Sequence, residues 1–349
     1  MNDLPRQLHL ALHAQGHPMA HHELQPLDDT GLAHEHVRLL GSGWLARIPK
    51  QSQMGLAAVR NLDYQRACFE RAAAGRHTPR LHSVLPPSTH LPRGALLVEY
   101  IAGKPARLPR DLVAIVTALG SLHALPLPAA VGRAPLLDAP DPLRALFEEI
   151  TQQASYLGAA CPPASVQRAI EAQQAGLHAL CEGPARPQRH LIAFDGHPGN
   201  FIVRADGSAV LVDLEKCRYS YPGLDLAHAT LYTSTTWDLK SHAVLSQGDV
   251  LAAYAAWGRA MGPAGDDALA WHLPLRRAMW LWSVTWCAKW RVLSRAQTQD
   301  SSVGEDWSAA RSDAALVGHV RDRVDHYLSA PVVERVLHEF NALERAWHR

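Results

Sequence analysis

The sequence predicts an α+β protein in which a small, strand-rich lobe precedes a larger and mainly helical lobe. Short apolar stretches separated by glycine turns, which are typical of antiparallel strands, fill much of residues 28–101. Beyond them, apolar residues recur at three- and four-residue intervals over long stretches, as in helices that bury one face. We therefore expect a two-lobed chain, with a small antiparallel-sheet lobe at residues 1–100 and a helical lobe at residues 101–349.

The 349-residue chain has the composition of an ordinary soluble protein, with 47% hydrophobic residues, 19% charged residues and a formal net charge of +1. This balance gives no reason to expect binding to nucleic acid or to an anionic membrane. No apolar run approaches the ~20 residues of a membrane span, and the N-terminus lacks the basic start and apolar core of a secretion signal. The five cysteines are scattered and odd in number, which favours reduced thiols in a cytoplasmic protein.

The first residues are rich in histidine. His9, His13 and His17 have the four-residue spacing that would align metal ligands on one helix face. Gly16 and Pro18 interrupt the helix that such an alignment requires. We therefore expect solvated histidines here rather than a metal site.

The strand-rich lobe contains one clear hairpin pattern. Glu35–Leu40 alternates apolar and polar residues, Gly41–Gly43 supplies the turn, and Trp44–Ile48 forms the second strand. Asn61–Ala74 then has helical periodicity, and Ala95–Ile101 is typical of a buried strand. An ordinary hairpin without ligand-binding function remains the alternative for the first of these features.

Six further segments have helical periodicity. They are Asp111–Leu122, Asp141–Leu157, Pro163–Cys181, Asp249–Met261, Trp271–Arg295 and Ala314–His348. Within the fifth segment, Trp282, Trp286 and Trp290 share one face. Core packing is the default interpretation of this stripe, and an aromatic wall for a bound acceptor is the alternative. The polar stretch Ser301–Asp313 is predicted to be an exposed loop.

The polar residues with the clearest chemistry lie at the ends of two short apolar runs. Asp195 opens a loop that closes at Asn200, the run Phe201–Val203 follows, and a second run, Ala209–Val212, ends on Asp213. Phosphoryl transfer needs a carboxylate beside the nucleophile and oxygen ligands for the magnesium ions that neutralise the phosphates. In a tight loop Asp195 would face the acceptor, while Asn200 and Asp213 would bind metal. Taken singly, both aspartates also fit the interpretation that they cap turns.

Three motifs, in this order and spacing, resemble the aminoglycoside phosphotransferase and choline kinase family, which has a protein-kinase-like fold. They are Asp195-Gly-His-Pro-Gly-Asn200, Leu211-Val-Asp213-Leu-Glu215 and Tyr221-Pro-Gly-Leu-Asp225-Leu-Ala227. The family's catalytic loop has the form His-x-Asp-x-x-x-x-Asn. One departure is clear, because Ala193 stands where the family has a histidine that usually supports the loop by packing and hydrogen bonding.

The resemblance implies an ATP- and Mg²⁺-dependent phosphotransferase that acts on a hydroxyl group of a small molecule. Asp195 would be the catalytic residue, Asn200 and Asp213 would bind Mg²⁺, and Glu215 would assist through water or structure. Asp225 resembles the family position that stabilises the catalytic loop. Aminoglycosides, choline-like amines, sugars and amino alcohols all fit these motifs as acceptors.

In the strand-rich lobe the resemblance implies residues that bind the nucleotide. Arg47, on the strand after the hairpin turn, is the candidate for the cation that meets the α- and β-phosphates, and Lys50 is the second candidate. The loop at Gly31 would cover the phosphates. Backbone groups from Glu99 to Ile101 would meet the edge of the adenine.

The helix at Asn61–Ala74 is expected to supply a carboxylate that pairs with this cation. Glu70 is available, although Gln65 lies nearer the expected place. The competing hypothesis is a catalytically silent, nucleotide-binding regulatory protein, which the departure at Ala193 favours. A hydrolase has less support, because the sequence lacks a Gly-x-Ser-x-Gly elbow.

Overall fold

The structure is a computed structural model that describes residues 3–28, 31–295 and 312–347. The chain divides into two compact units. The first unit contains Met1–Ala73, Thr78–Ile101 and Leu293–Val320, and the second contains Ala74–His77, Ala102–Val292 and Arg321–Arg349. Each unit therefore gathers segments that are distant from one another in the sequence.

The first unit is built on a five-stranded antiparallel sheet with the strand order β1-β2-β3-β5-β4. Its elements are α1 (Leu4–Ala14), β1 (Leu24–Pro26), β2 (His34–Leu39), β3 (Trp44–Pro49), α2 (Ala58–Ala72), β4 (Leu81–Leu85) and β5 (Ala95–Glu99). The predicted small antiparallel sheet is confirmed. The predicted helix at Asn61–Ala74 begins nearly one turn earlier, at Ala58.

The predicted hairpin is the β2–β3 pair, whose register runs from His34 opposite Pro49 to Leu39 opposite Trp44. Its turn contains two glycines with positive φ, Gly41 at 73° and Gly43 at 80°. Residues with a side chain rarely adopt this backbone conformation, which explains why glycine occupies both positions. The turn chemistry and the alternating pattern therefore set the register together.

Helix α1 covers one face of this sheet. Its buried Leu8 and Leu12 pack in one apolar cluster with Val37 and Leu97 of the sheet. The helix ends at Ala14, before the third of the three spaced histidines, so these side chains do not share a helix face. His9 and His13 are exposed, and the Nε2 atom of His17 lies 3.0 Å from the Ser83 hydroxyl.

The second unit is mainly helical, as the sequence predicts, and it holds a three-stranded sheet, β6-β8-β9, and a two-stranded sheet, β10-β7. Its strands are β6 (Lys104–Pro105), β7 (His190–Ile192), β8 (Phe201–Val203), β9 (Ala209–Leu211) and β10 (Arg218–Ser220). Its helices are α3 (Leu112–His123), α4 (Pro142–Ala154), α5 (Leu157–Ala160), α6 (Ala164–Glu182), α7 (Pro222–Thr230), α8 (Tyr232–Thr235), α9 (Gln247–Met261), α10 (Pro263–Asp267), α11 (His272–Leu293) and α13 (Ala330–Trp347). Helix α12 (Ala314–Tyr327) is divided between the two units, the first of which ends at Val320.

Helix α3 lies at the centre of one core of this unit. Its Leu112 and Val116 pack with Leu226 of α7, Trp257 of α9 and Leu343 of α13. All five side chains are almost completely buried. Burying large apolar side chains gives roughly 1.5–3 kcal/mol each, so this cluster contributes strongly to the docking of α7. Helix α7 lies next to the candidate site described below.

The tryptophan stripe of α11 is largely a packing surface. Trp282 and Trp290 are only 7% and 4% exposed. Trp286 is half-buried, and its ring lies 5.7 Å from that of Trp237 in an edge-to-face arrangement. The core-packing interpretation therefore holds for most of the stripe, although Trp282 also reaches the catalytic loop, as described below.

The last predicted helical segment is two helices. α12 ends at Tyr327 and α13 begins at Ala330, because the hydroxyl of Ser329 turns back to the His326 carbonyl oxygen and helps to close the first helix. The predicted polar loop Ser301–Asp313 lies outside the described residues except for its last two positions. Within the part of the chain that the structure describes, no helix is both long and apolar enough to cross a bilayer.

Replacing Gly94 by alanine should destabilise the first unit more than replacing Gly41. Both glycines have positive φ, at 68° and 73°, but a Cβ at Gly94 would also meet the Leu85 carbonyl oxygen and Leu62, whereas a Cβ at Gly41 meets nothing within 4 Å. Overpacking of this kind costs about 1–3 kcal/mol beyond the shared backbone strain. Urea unfolding of G94A and G41A measures the difference, and equal losses would contradict the packing at this turn.

Buried His272 should make the stability of the protein depend on pH. Burial lowers its pKa to about 4, and its Nδ1 atom has no hydrogen-bond partner among the described residues. The unfolded chain binds a proton with a pKa of about 6.5, so stability should fall as the pH drops from about 6.5 to about 4, by up to about 3 kcal/mol from this group.

The substitution His272→Phe tests this expectation, because phenylalanine fits the aromatic surroundings of Tyr254 and Trp347 and cannot be protonated. Urea unfolding between pH 8 and pH 4 should show a shallower decline for H272F than for the wild type. Equal declines in the two proteins would contradict the expectation.

Candidate active site

The predicted catalytic loop, here residues 193–200, is held by one buried carboxylate. The backbone N–H groups of Ala193 and Phe194, which follow β7, donate to the two oxygens of Asp225 on α7 at 2.8 and 2.7 Å. The Asp225 side chain is fully buried. Phe194 has a φ of 61°, in the left-handed region that a bulky residue rarely adopts, and this strain sits directly before Asp195. The two hydrogen bonds fix the strained backbone.

A histidine from another element contributes to the same support. The Nε2 atom of His123, at the end of α3, lies 2.9 Å from Asp225 Oδ2, and the indole N–H of Trp257 donates to His123 Nδ1 at 3.0 Å. Because an indole nitrogen can only donate, Nδ1 must accept and Nε2 must carry the proton. His123 therefore donates to Asp225, so a histidine supports the loop even though Ala193 replaces the family's histidine.

Asp195 lies in a closely paired and largely buried position. Lys216 Nζ donates to its Oδ2 atom at 2.6 Å, and the two side chains are 9% and 15% exposed. Burial alone would raise the pKa of the Asp195 carboxyl, but the charge of Lys216 holds this pKa well below its usual value. The carboxylates of Asp195 and Glu215 in turn raise the pKa of Lys216 against the opposing effect of burial. Both groups are therefore charged at neutral pH.

His228 lies on the other side of the Asp195 carboxylate. Its Nδ1 atom is 3.7 Å from Asp195 Oδ1 and 3.3 Å from the carbonyl oxygen of Phe194. Burial lowers its pKa to about 4, against the opposing effect of Asp195, so the imidazole is neutral at pH 7. An Nδ1–H donated towards Phe194 fits this geometry. Lys216 is therefore the cation that compensates the catalytic-loop carboxylate.

Asn200 closes the loop that Asp195 opens. Its side-chain Nδ2 donates to the Asp195 carbonyl oxygen at 2.9 Å, which directs the Oδ1 atom away from that carbonyl. The Asn200 carbonyl oxygen accepts from Val212 N–H at 2.9 Å, next to the β8–β9 ladder, so Asn200 and Asp213 are close across the two strands. The structure brings these predicted metal ligands to one edge of the small sheet.

Glu215 adds a second carboxylate at this edge. One of its oxygens lies within 4.8 Å of an oxygen of Asp213, although Glu215 is only 4% exposed. The Glu215 N–H donates to Asp213 Oδ1 at 3.3 Å, which shows how tightly the chain turns after β9. Two carboxylates and an amide oxygen are hard ligands of the kind that Mg²⁺ prefers, so the donor set fits this ion.

A layer of paired groups surrounds the Asp195–Lys216 pair. Lys216 Nζ lies 5.5 Å from the Trp282 ring centre, and the Trp282 indole N–H donates to Glu149 on α4 at 2.7 Å. The other oxygen of Glu149 accepts from Arg218 at 3.0 Å. The Arg218 guanidinium in turn stacks on the Phe194 ring, 3.5 Å from its centre. The layer ties α4, α11 and β10 to the catalytic loop.

Lys216, which the structure pairs with Asp195, is a site residue that the sequence analysis did not predict. It follows Asp213 by three positions, and the backbone reverses there, since the Cys217 N–H donates to the Leu214 carbonyl oxygen. This turn brings the lysine back onto Asp195. A lysine beside two acidic residues resembles an ordinary surface charge, so only the reversal of the chain reveals its position.

In the first unit, Arg47 is held by a relay of neutral groups. The guanidinium Nη2 donates to His34 Nδ1 at 3.0 Å, and His34 Nε2 lies 3.1 Å from Gln65 Oε1 on α2. Since arginine only donates, the Nε2 proton of His34 must point to Gln65. Burial, followed by the charge of Arg47, lowers the pKa of His34 well below its usual value, so this imidazole is neutral. Arg47 itself is only 3% exposed.

The prediction that helix α2 supplies a carboxylate to pair with Arg47 is therefore wrong. Glu70 lies on the outer face of α2, where it forms an ion pair with Arg66 at 2.8 Å, and it does not face the sheet. Gln65 is completely buried and points inwards. Glu70 is five positions further along, about half a turn out of phase with the inner face, which explains the difference.

The remaining predicted nucleotide residues also belong to the first unit. Lys50 is 7% exposed, and its Nζ donates to Ser312 Oγ at 3.3 Å. Gly31 precedes β2, close to the His34 carbonyl oxygen. The N–H of Glu99 donates to the Arg80 carbonyl oxygen, and the N–H of Tyr100 donates to the Gly43 carbonyl oxygen. In the predicted adenine-contacting segment, the N–H groups of Glu99 and Tyr100 are thus already hydrogen-bonded, whereas the N–H of Ile101 has no hydrogen-bond partner among the described residues.

The fold and this arrangement define the class of the protein: it is a kinase-like phosphotransferase of small molecules. The model of the phosphotransferase enzyme family matches residues 31–272, well over half of the chain, and the protein belongs to this family. It is therefore an enzyme that transfers phosphoryl groups to small molecules. No functionally curated protein matches the sequence.

Several solved structures share the fold. Plasmodium vivax ethanolamine kinase is 11% identical with a TM-score of 0.57, and the match covers 90% of this chain and 83% of that one. An aminoglycoside phosphotransferase from Alicyclobacillus acidocaldarius is 17% identical with a TM-score of 0.53, over 93% and 92% of the two chains. The ADP-bound aminoglycoside phosphotransferase APH(2'')-Ib is 14% identical with a TM-score of 0.52, over 89% and 94%. The protein-kinase-like fold is thereby confirmed.

Replacing Asp225 by alanine should destabilise the second unit by about 3 kcal/mol or more, because three buried donors lose their acceptor. The matched control is Asp206→Ala, which also removes a carboxylate that accepts two hydrogen bonds, but in an exposed turn. That change should cost less than about 1 kcal/mol. Urea unfolding compares the two variants, and similar losses would show that Asp225 does not anchor the loop.

Proposed function

We propose that the protein transfers the γ-phosphoryl group of ATP, in the presence of Mg²⁺, to a hydroxyl group of a small molecule. The observation that carries this proposal is the fixed Asp195 carboxylate, which opens the loop closed by Asn200 and lies in the same unit as Asp213. A carboxylate for the acceptor together with oxygen ligands for metal is the set that this chemistry requires.

The first unit would bind the nucleotide. Arg47 supplies a guanidinium for the α- and β-phosphates, and the His34–Gln65 relay keeps its orientation fixed. Lys50, three residues further along the chain, supplies a second cation, and the loop at Gly31 covers the phosphates. Backbone groups at Glu99 and Ile101 meet the adenine edge, with the larger share falling to Ile101 because the Glu99 N–H is already bonded.

The second unit would hold the metal. Asn200, Asp213 and Glu215 provide oxygen ligands at one edge of the β6-β8-β9 sheet. When bound, Mg²⁺ neutralises charge on the phosphate oxygens. Glu215 is included because its carboxylate approaches that of Asp213, which goes beyond the assisting role that the sequence suggests.

Asp195 would act on the acceptor hydroxyl. Its low pKa, held down by Lys216, makes the carboxylate a weak base, so its first role is to accept a hydrogen bond from the hydroxyl and aim the oxygen. The transition state of phosphoryl transfer is loose in most analyses, and the hydroxyl becomes strongly acidic only as its bond to phosphorus forms. The proton then passes to Asp195 late in the step. A weak base suffices for this late transfer.

Replacing Asp195 by alanine should lower kcat by roughly 10²–10⁴-fold while nucleotide affinity stays close to that of the wild type. ADP formation with Mg²⁺ across a panel of aminoglycosides, choline-like amines, sugars and amino alcohols measures the first quantity. Calorimetric titration with an ATP analogue measures the second. The control variant D206A, which alters an exposed carboxylate of the same unit, should turn over normally.

Acceptor-dependent ADP formation that disappears in D195A would support the kinase and identify its substrate class. Wild-type turnover by D195A would disprove the catalytic role of this residue. Nucleotide binding without turnover on any acceptor would favour a catalytically silent regulatory protein instead.

A further inference from the structure

We propose that the acceptor is an uncharged alcohol, rather than the cationic amines that aminoglycoside and choline-like acceptors represent. The inference rests on the proposed function, because it concerns the acceptor beside Asp195. Its basis is the ion pair between Asp195 and Lys216, which compensates the negative charge of this carboxylate.

The first observation is the neutralisation of Asp195 itself. A cationic acceptor is attracted most strongly by a carboxylate whose charge is uncompensated and partly removed from water. Lys216 already donates to Asp195 at 2.6 Å, and both side chains are largely buried. An ammonium group arriving beside Asp195 would meet the lysine ammonium at short range. Like charges in such a partly desolvated site repel one another more strongly than they do in water.

The second observation concerns the indole ring of Trp282, which lies near the Lys216 ammonium. Cations such as quaternary ammonium groups bind over indole faces, and Trp282 is the tryptophan that adjoins the catalytic loop through Phe194, with 5.1 Å between the ring centres. Lys216 Nζ lies 5.5 Å from the Trp282 ring centre. The protein's own cation therefore takes the interaction that a choline-like acceptor would need.

The third observation concerns Glu149, the carboxylate of the surrounding layer. One of its oxygens accepts from the Trp282 indole at 2.7 Å and the other from Arg218 at 3.0 Å. The charge of Glu149 is thus balanced by that of Arg218, as the charge of Asp195 is balanced by that of Lys216. Glu149 therefore offers no uncompensated negative charge that would attract a cationic acceptor.

One further acidic side chain borders the catalytic loop. Asp238 approaches Gly199, since a Cβ built on that glycine would lie 3.1 Å from the Cβ of Asp238. Its Oδ1 atom accepts from the N–H groups of Lys240 and Ser241 at 2.6 and 3.2 Å, so the carboxylate is directed into its own turn. We therefore expect Asp238 to shape this turn and not to recruit a cation.

Acceptor pairs that differ only in charge test the inference. The pairs are choline with 3,3-dimethylbutan-1-ol, ethanolamine with propan-1-ol, and glucosamine with glucose. For each pair turned over by the wild-type enzyme with ATP and Mg²⁺, we expect kcat/KM to be about tenfold or more higher for the uncharged member. A cationic member that is used equally well or better would overturn the inference and leave the kinase activity established.

Variants then identify the source of the selectivity. Lys216→Met removes the ammonium but keeps the length of the side chain, so the ratio of kcat/KM between uncharged and cationic members should fall markedly, whatever the absolute rates become. The control Lys104→Met removes an exposed charge of the same unit, and its ratio should match that of the wild type. Equal ratios in both variants would overturn the role of Lys216.

Asp238→Asn should also leave the ratio unchanged. A ratio that rises in D238N would show that this carboxylate recruits cations, and would count against the inference. Transfer to none of the six acceptors by an enzyme that binds ATP would contradict the proposed kinase activity on such alcohols, and the inference would fall with it. Failure of the inference and failure of the proposed kinase activity are distinct, because only failure of the inference requires turnover of a cationic acceptor.

Discussion

The hydrogen bonds to the Asp225 carboxylate are the constraint on which the catalytic loop depends. Two backbone N–H groups and one imidazole N–H converge on this buried group, and one of the backbone groups belongs to Phe194, whose φ is positive. A buried charge is stable only when it is fully hydrogen-bonded, and a strained residue persists only when its surroundings fix it. The same three donors meet both needs, so the position of Asp195 follows from the packing of α3, α7 and α9.

The charged side chains of the candidate site are either oriented by neutral groups or compensated in ion pairs. In the first unit, Arg47 is oriented by an uncharged imidazole and a buried amide, and the low pKa of His34 keeps this relay neutral at physiological pH. In the second unit, Lys216 compensates Asp195, and Arg218 compensates Glu149. Orientation by neutral groups and compensation by close ion pairs both hold these side chains in fixed positions.

The sequence was sufficient to predict the fold class and the closure of the loop from Asp195 to Asn200, for identifiable physical reasons. Alternation with positive-φ glycines at Gly41 and Gly43 predicts the β2–β3 hairpin, because both signals are local. The spacing of Asp195 and Asn200 likewise reflects a short loop that closes on itself. Helix boundaries were less accurate, as at α2 and at the break between α12 and α13, because helix ends depend on capping and packing more than on periodicity.

Tertiary structure alone determines which residues that are distant in the sequence become hydrogen-bond or ion-pair partners. Composition and local pattern determined the α+β class, the strand-rich beginning and the loop from Asp195 to Asn200. The use of His123 in support of the loop, the selection of Gln65 over Glu70 and the return of Lys216 onto Asp195 all depend on which side chains meet after folding. A residue's type shows what it can bind, but only the packed chain determines which partner lies within hydrogen-bonding distance.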